Sequence, residues 1–331
     1  MSFSADWLTL REPFDAAARD EAERGAACDG GGDGGGSLVD AVRGALAAAA
    51  AAAADDDDDD EARPEIVDLG TGTGANLRWL APRLGGAQRW RLLDHDLALL
   101  SALPERIAAW SRANDFESRR SDGDMLRVSA AGFDLRMTCE RVDLAAAMGG
   151  FRAPRGGLVS ASALLDLVSE PWLDLLLQAC SRAGAALLLA LSYDGRIDWQ
   201  PADPVDAAVL AAVNMHQRRD KGFGPALGPT AAAYAARGLA AHGYRVRSAA
   251  SDWRIGPDDR AIAAALLDGW TQAAIEAVPA RSTDFEQWRQ RRMAVLARGA
   301  LRMTVGHVDL AAWRRLQTAE CGRRGSEARM R

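Results

Sequence analysis

Asp68, Gly70, Gly72 and Gly74, with Thr71 and Asn76 beside them, are the residues whose types and spacing point most directly to chemistry. Glycines at alternate positions permit a tight turn and let a ligand approach bare backbone. The N–H groups at the start of a following helix are free donors with a partial positive charge. Such a turn reads as a nucleotide site, and its neighbours decide which nucleotide. Gly70, Gly72 and Ala75 satisfy the dinucleotide pattern GxGxxG/A. Asp68, however, stands two residues before the first glycine, where a carboxylate repels a pyrophosphate and attracts a cofactor carrying an ammonium and a sulfonium. The charges favour S-adenosylmethionine, and a nicotinamide-dependent oxidoreductase is the alternative.

The elements that must hold this turn are legible around it. Ile66, Val67 and Leu69 read as a short buried strand, and 76–84 as the opening of a helix. A second apolar strand, 90–94, ends in Asp94-His95-Asp96, with Asp96 placed to cap the next helix over 96–112.

With these two motifs the sequence resembles the class I S-adenosylmethionine-dependent methyltransferases. Their first motif is an acidic residue followed by GxGxG, and their second strand ends in an acid that holds the ribose hydroxyls. The resemblance implies an α/β, Rossmann-like fold: a mainly parallel seven-stranded sheet with an antiparallel last strand. It also implies S-adenosyl-L-methionine as cofactor. On the matching positions, the cofactor would be held by Asp68, Gly70, Thr71, Gly72, Gly74 and Asn76 of the turn, and by Asp94 and His95 after the second strand. Asp143 and Leu144 after the third strand and Ser160 in the fourth would complete the set. Arg11, on an N-terminal helix of the kind that covers the pocket in this class, would reach the methionine carboxylate. Residues after the fourth strand line the transfer site in the family, which makes Asp166 the candidate catalytic group. Each assignment has an ordinary counterpart: Arg11 as a solvated arginine, His95 as a loop residue, Asp143 as a helix cap, Asp166 as an acceptor for nearby backbone donors. The Asn/Asp-Pro-Pro-aromatic run of the family's nucleic-acid branch is replaced here by Ser-Ala-Leu-Leu-Asp-Leu, which argues against base methylation.

In chain order, 1–24 reads as an amphipathic helical cover, and 25–63 as a low-complexity mobile insertion of glycine, alanine and aspartate runs, with 38–54 helical by alanine propensity. From Glu65 to 252 strand and helix alternate, as in a sheet covered on both faces. A polar loop spans 111–124, a hairpin 126–142, and further strands 157–162, 185–191 and 244–251. His216, with Arg218, Arg219 and Lys221, sits after the fifth main strand, where this fold often closes over substrate. Helices over 258–278 and 283–299, with Trp270, Trp288 and Arg289, read as a cap insertion (253–299). The last strand, 301–308, and a basic tail end the chain, and His307 reads as structural, away from the cofactor mouth.

Composition narrows the classes further. Seven consecutive acids from Asp55 to Glu61 outweigh the net charge of −6, so the rest is close to neutral and lacks the basic stripe of a nucleic-acid binder. The four cysteines show no CxxC spacing, so no metal site is expected, and free thiols fit a cytoplasmic protein. No basic segment leads into an apolar core at the start, and no run approaches the roughly 18 apolar residues of a membrane span. The expected activity is methyl transfer to a small-molecule acceptor. A non-catalytic S-adenosylmethionine-binding or scaffold protein is the reading from another class. Neither the acceptor nor the oligomeric state is written in the sequence.

Overall fold

The structure is a computed structural model that describes residues 4–28, 36–52, 63–120 and 125–314. The elements run α1 (Ala5–Cys28), α2 (Leu38–Ala52), β1 (Glu65–Leu69), α3 (Ala75–Leu84), β2 (Gly86–Asp94), α4 (Leu97–Ala113), β3 (Glu117–Arg120), β4 (Leu126–Ala130), β5 (Phe133–Arg141), α5 (Leu144–Ala147), β6 (Leu158–Ser162), α6 (Glu170–Ala183), β7 (Ala186–Gln200), α7 (Asp206–Gln217), α8 (Ala231–Ala241), β8 (Arg245–Ala250), β9 (Trp253–Ile255), α9 (Arg260–Ala277), α10 (Ser282–Ala297) and β10 (Arg302–Trp313).

β1 is central because its side chains are apolar on both faces: Ile66, Val67 and Leu69 are fully buried. It pairs in parallel with β2 and β6, with Asp68 opposite Leu92 on one side and Ser160 on the other. The strand order is β3-β4-β5-β2-β1-β6-β7-β10-β8, with β9 joined to β10. β10 runs antiparallel to both β7 and β8. From β5 to β8 this is the seven-stranded, mainly parallel sheet with an antiparallel last strand. The parallel register brings the carboxyl ends of β5, β2, β1 and β6 to one edge, where ligands bind in open α/β sheets.

Several boundaries differ from the sequence reading. Residues 38–52, expected to be helical within a mobile insertion, form α2 as a docked helix, which buries Leu38, Val39, Val42 and Leu46 in the core cluster that contains Ile66 and Trp90. Alanine propensity sets the helix, but four aliphatic side chains at helical spacing dock it. The aspartate run 55–60 and most of the glycine run lie outside the described residues. Within the segment read as a loop, 117–120 forms the edge strand β3, whose exposed, charged side chains gave no apolar signal. β7 and β10 are longer than expected. β7 continues ten residues past Ala190, the partner of Ser162, and pairs there with β10, which in turn pairs with β9.

That extension explains the insertion. Trp199, on β7, meets Trp270 of α9 and Trp288 of α10 edge-on, each ring centroid 5.5 Å away. The aromatic side chains of 253–299 therefore cover the β7–β10 arm, and Arg289 pairs with Asp268 at the surface.

Candidate functional site

A cavity of about 340 Å³ opens at the carboxyl edge of the sheet. Its wall takes the glycine turn from β1, Asp94 to Asp96 from β2, Asp143 to Ala145 from beyond β5, and Ser162 to Leu164 from β6. Leu8, Arg11 and Asp15 of α1, Leu99 of α4, Leu167 and the segment Lys221 to Phe223 complete it. No wall residue comes from 253–299, so α1 and 221–223, rather than the helical insertion, cover the cavity.

The turn folds as the glycines require. Gly70, Gly72 and Gly74 have φ of 66°, 57° and 80°, a region L side chains rarely enter. Gly70 and Thr71 donate their N–H groups to the Leu93 carbonyl at 2.9 and 3.1 Å, and Gly74 donates to Thr71 O at 2.9 Å. Gly72 N–H donates to Asp94 Oδ2 at 2.8 Å, and Asp96 N–H to Asp94 Oδ1 at 2.9 Å. Asp94 is thus fixed in orientation, while each oxygen keeps a lone pair for a ligand. A Cβ on Gly72 would stand 3.1 Å from Leu8 Cδ1, so the covering helix as well as a ligand limits side chains there.

Behind the turn lies a buried polar chain. Asn76 Nδ2 donates to Asp68 Oδ1 at 2.5 Å and to Ser160 Oγ at 2.8 Å, while Asn76 Oδ1 accepts from Arg19 at 2.7 Å. Arg19 stacks over Trp79 at 3.6 Å and lies 3.6 Å from Asp309 Oδ2. Burial pushes Asp68 up to about 6, against the bonding from Thr71 and Asn76 and the charge of Arg19.

The expected cofactor residues therefore divide into two groups. Gly70, Thr71, Gly72, Asn76, Asp94, His95, Asp143, Leu144 and Arg11 meet at the cavity wall. Gly74 sits in the same turn, with its Cβ position against Leu103 and Arg78. Asp68 and Ser160 do not line the cavity; both are buried beneath it and brace Asn76. Asp143 caps α5 through Ala145 N–H and Ala146 N–H, so the capping role is real and coexists with its place on the wall.

Asp166 does not reach the wall either. It is 7% exposed within the turn 165–167, and burial raises it to about 6 against the pull of the backbone at Asp166 and Tyr193 and the charges of Arg11 and Lys221.

α1 is pinned over the cavity at several points. Glu12 binds Arg78 through both oxygens at 2.7 Å, Asp20 accepts from Trp79 at 3.0 Å, and Asp15 accepts from Trp253 at 3.1 Å. Arg11 forks onto Asp15 at 2.9 and 3.1 Å and lies 5.0 Å from the Trp253 ring centroid. Burial raises Asp15 despite Arg11. His307 packs against Trp253, with ring centroids 5.0 Å apart, and pairs with Tyr193 across the strands. It therefore stands level with the sheet's carboxyl edge rather than away from it. Burial, then the charge of Arg11, depresses it to about 3.

Sequence reasoning missed Arg19, Asp309 and Asp15. The spacing of Leu8, Arg11, Asp15 and Arg19 on one helix face was the available signal, since charged residues recurring every three to four positions beside apolar ones mark a buried polar stripe.

No protein-family model matches the chain, and no curated protein matches it. Solved structures that it is similar to include an O-methyltransferase family protein from Burkholderia thailandensis, at 14% identity over 82% of this chain and a TM-score of 0.35. The chain spans about half of that protein, 55%. A methyltransferase from Geobacter sulfurreducens, solved with S-adenosyl-L-homocysteine, is 15% identical over 82% of this chain and 91% of its own, with a TM-score of 0.35. A cyclopropane synthase from Mycobacterium tuberculosis is 12% identical over 75% of this chain and 78% of its own, again at 0.35. The reading of the site rests on its own geometry.

Proposed function

We propose that the protein transfers a methyl group from S-adenosyl-L-methionine to a small-molecule acceptor. The observation that carries this is the use of the turn's own donors. The N–H groups of Gly70, Thr71, Gly72 and Gly74 all bond within the protein, and the one at Gly72 faces a carboxylate. A dinucleotide site needs those donors for its pyrophosphate. A cofactor with two neighbouring hydroxyls and a cationic end suits the same groups, because Asp94 keeps lone pairs on both oxygens.

The cavity's volume lies within the range of small-molecule sites. Asp94 would hold the ribose, His95, Asp143 and Leu144 would bound the base, and Asn76 and Arg11 would meet the methionine end. When bound, the cofactor supplies a methyl group on a sulfonium, already activated for displacement. The chain's part is to align the acceptor, exclude water under α1 and move a proton where the acceptor carries one. No helix among the described residues is long and apolar enough to cross a membrane.

Thermal shift decides between cofactors: S-adenosylmethionine or its demethylated product raises Tm and NAD or NADP does not. Stabilisation by a dinucleotide alone overturns the reading. Incubation with methyl-labelled cofactor and a small-molecule extract then identifies the acceptor.

A further inference from the structure

Among 40 basic Lys and Arg residues the chain contains a single lysine, Lys221, and that lysine lines the cavity. Arginine serves at every other position, including the buried Arg19 and Arg292, so burial as such does not call for lysine. What lysine offers and arginine does not is a proton it can give up: the guanidinium stays charged in proteins, whereas a buried ammonium titrates.

The surroundings of Lys221 are built for that use. It is 8% exposed, and among the described residues no carboxylate oxygen lies within 4.0 Å of its nitrogen to lock it as a cation. Its Nζ lies 3.3 Å from His216 Nδ1, and His216 Nε2 lies 3.0 Å from Glu276 Oε2. A carboxylate only accepts, so Nε2 carries the imidazole proton and Nδ1 presents its lone pair to Lys221. One hydrogen of Lys221 is thereby directed to His216. Glu276 belongs to α9 and His216 to α7, so two packed helices hold the chain of three side chains.

We infer that Lys221, oriented by His216 and Glu276, accepts the proton of the methyl acceptor, and that the acceptor is a phenol or a protonated amine. The inference deepens the methyl-transfer reading and rests on it. In the step, the acceptor's O–H or N–H bond breaks and its proton bonds to the lone pair of neutral Lys221 Nζ, which becomes an ammonium. The electron pair left on the acceptor is the nucleophile. Carboxylic acids are already ionised at neutral pH and need no base, and aliphatic alcohols are too weakly acidic for an amine. Phenols and ammonium groups, near pKa 10 on the scale where tyrosine is about 10 and lysine about 10.4, match it.

The charges around Lys221 oppose one another. Burial first, and then Arg219, lower its pKa, while Glu276 and Asp166 raise it, and the balance lies below the ordinary lysine value. Burial, then Lys221, depresses His216, which keeps the imidazole neutral and able to accept from Lys221.

A single lysine makes the test direct. Reductive methylation of the full-length protein with ¹³C-formaldehyde labels only Lys221 and the terminal amine, and NMR across pH 6 to 11 follows each. A Lys221 midpoint below the ordinary lysine value, falling further in Glu276→Gln, is expected; an ordinary midpoint overturns the proposal. In parallel, Lys221→Arg and Lys221→Met are assayed with methyl-labelled cofactor against a panel of phenols and a panel of amines. Both variants should bind cofactor within about threefold of the parent by calorimetry and lose at least about 100-fold in turnover. Turnover retained in Lys221→Arg, or labelling of neither panel by the parent, overturns the assignment, and labelling of one panel names the acceptor class. If the parent binds no S-adenosylmethionine, the methyl-transfer reading fails, while the NMR midpoint still decides the basicity of Lys221.

Discussion

Gly72 and Asp94 are joined by a hydrogen bond of 2.8 Å from the glycine N–H to the carboxylate. The residue proposed to hold the ribose is therefore also the latch of the turn, and the two halves of the nucleotide site, from β1 and from β2, form one unit. A change at Asp94 should act on affinity and on the turn together.

Asp94→Ala removes a charge-assisted acceptor worth about 1.5 to 3 kcal/mol, so cofactor affinity should fall roughly tenfold to a hundredfold by calorimetry. It also leaves Gly72 N–H without its partner, so stability should drop by about 1 to 3 kcal/mol in urea denaturation. Unchanged affinity would move the ribose contact to another group.

At Gly72, φ of 57° and the approach to Leu8 act separately. Gly72→Ala should cost about 1 to 2 kcal/mol for the left-handed backbone and reduce cofactor affinity. Adding Leu8→Ala should relieve the contact but not the backbone strain, so only part of the loss should return. Full recovery in the double variant would show that Leu8, rather than the turn, is what excludes a side chain.

The fold was legible because its signals are local: apolar runs at 66–69 and 90–93, glycines where φ is positive, and strand-helix alternation after 65. The cavity's nucleotide wall followed, since its residues lie at strand ends fixed by that alternation. The remaining walls were harder to read. Asp68 shares the motif with Gly72 and Ser160 lies opposite it on β6, yet both face the interior, because which faces of these strands look into the cavity depends on packing against Asn76. Arg19 and Asp309 are separated by most of the chain, and only the docking of α1 on the sheet makes them neighbours. The rank of Lys221 over Asp166 rests on burial in a turn and on the packing of α7 against α9 of the insertion, neither of which has a local pattern.

Arg19 is the hub of the buried chain beneath the turn, 2% exposed, with Asn76 accepting from it and Asp309 beside it. Arg19→Met keeps the bulk over Trp79 but leaves Asp309 and Asp68 without their cation. Removing one member of a buried pair typically costs about 3 to 5 kcal/mol, and a loss of that size is expected in urea denaturation. Asp309→Asn in the same chain should restore a good part of it. A loss under about 1 kcal/mol for Arg19→Met alone would mean that water or rearrangement already compensates those carboxylates.

Asp166 separates a structural from a chemical role by the sign of its pH dependence. Its carboxyl titrates near 6 in the folded protein, because burial disfavours the charge, and near 3.8 when unfolded. Between those values the folded state binds more protons, so this group's contribution to stability falls as pH rises from about 4 to about 6. Asp166→Asn removes the titration. Stability of the parent relative to the variant should therefore decline across that window, by up to about 3 kcal/mol at full burial, and level off above pH 7. Asp68 titrates in the same range but is present in both proteins, so it cancels in the difference. Because Asp166 lies behind the cavity wall, turnover per folded molecule at pH 8 should stay within a few-fold. A variant whose stability difference is flat with pH, and whose turnover falls by the roughly 10²- to 10⁴-fold of a lost acid–base group, would instead put Asp166 in contact with the acceptor.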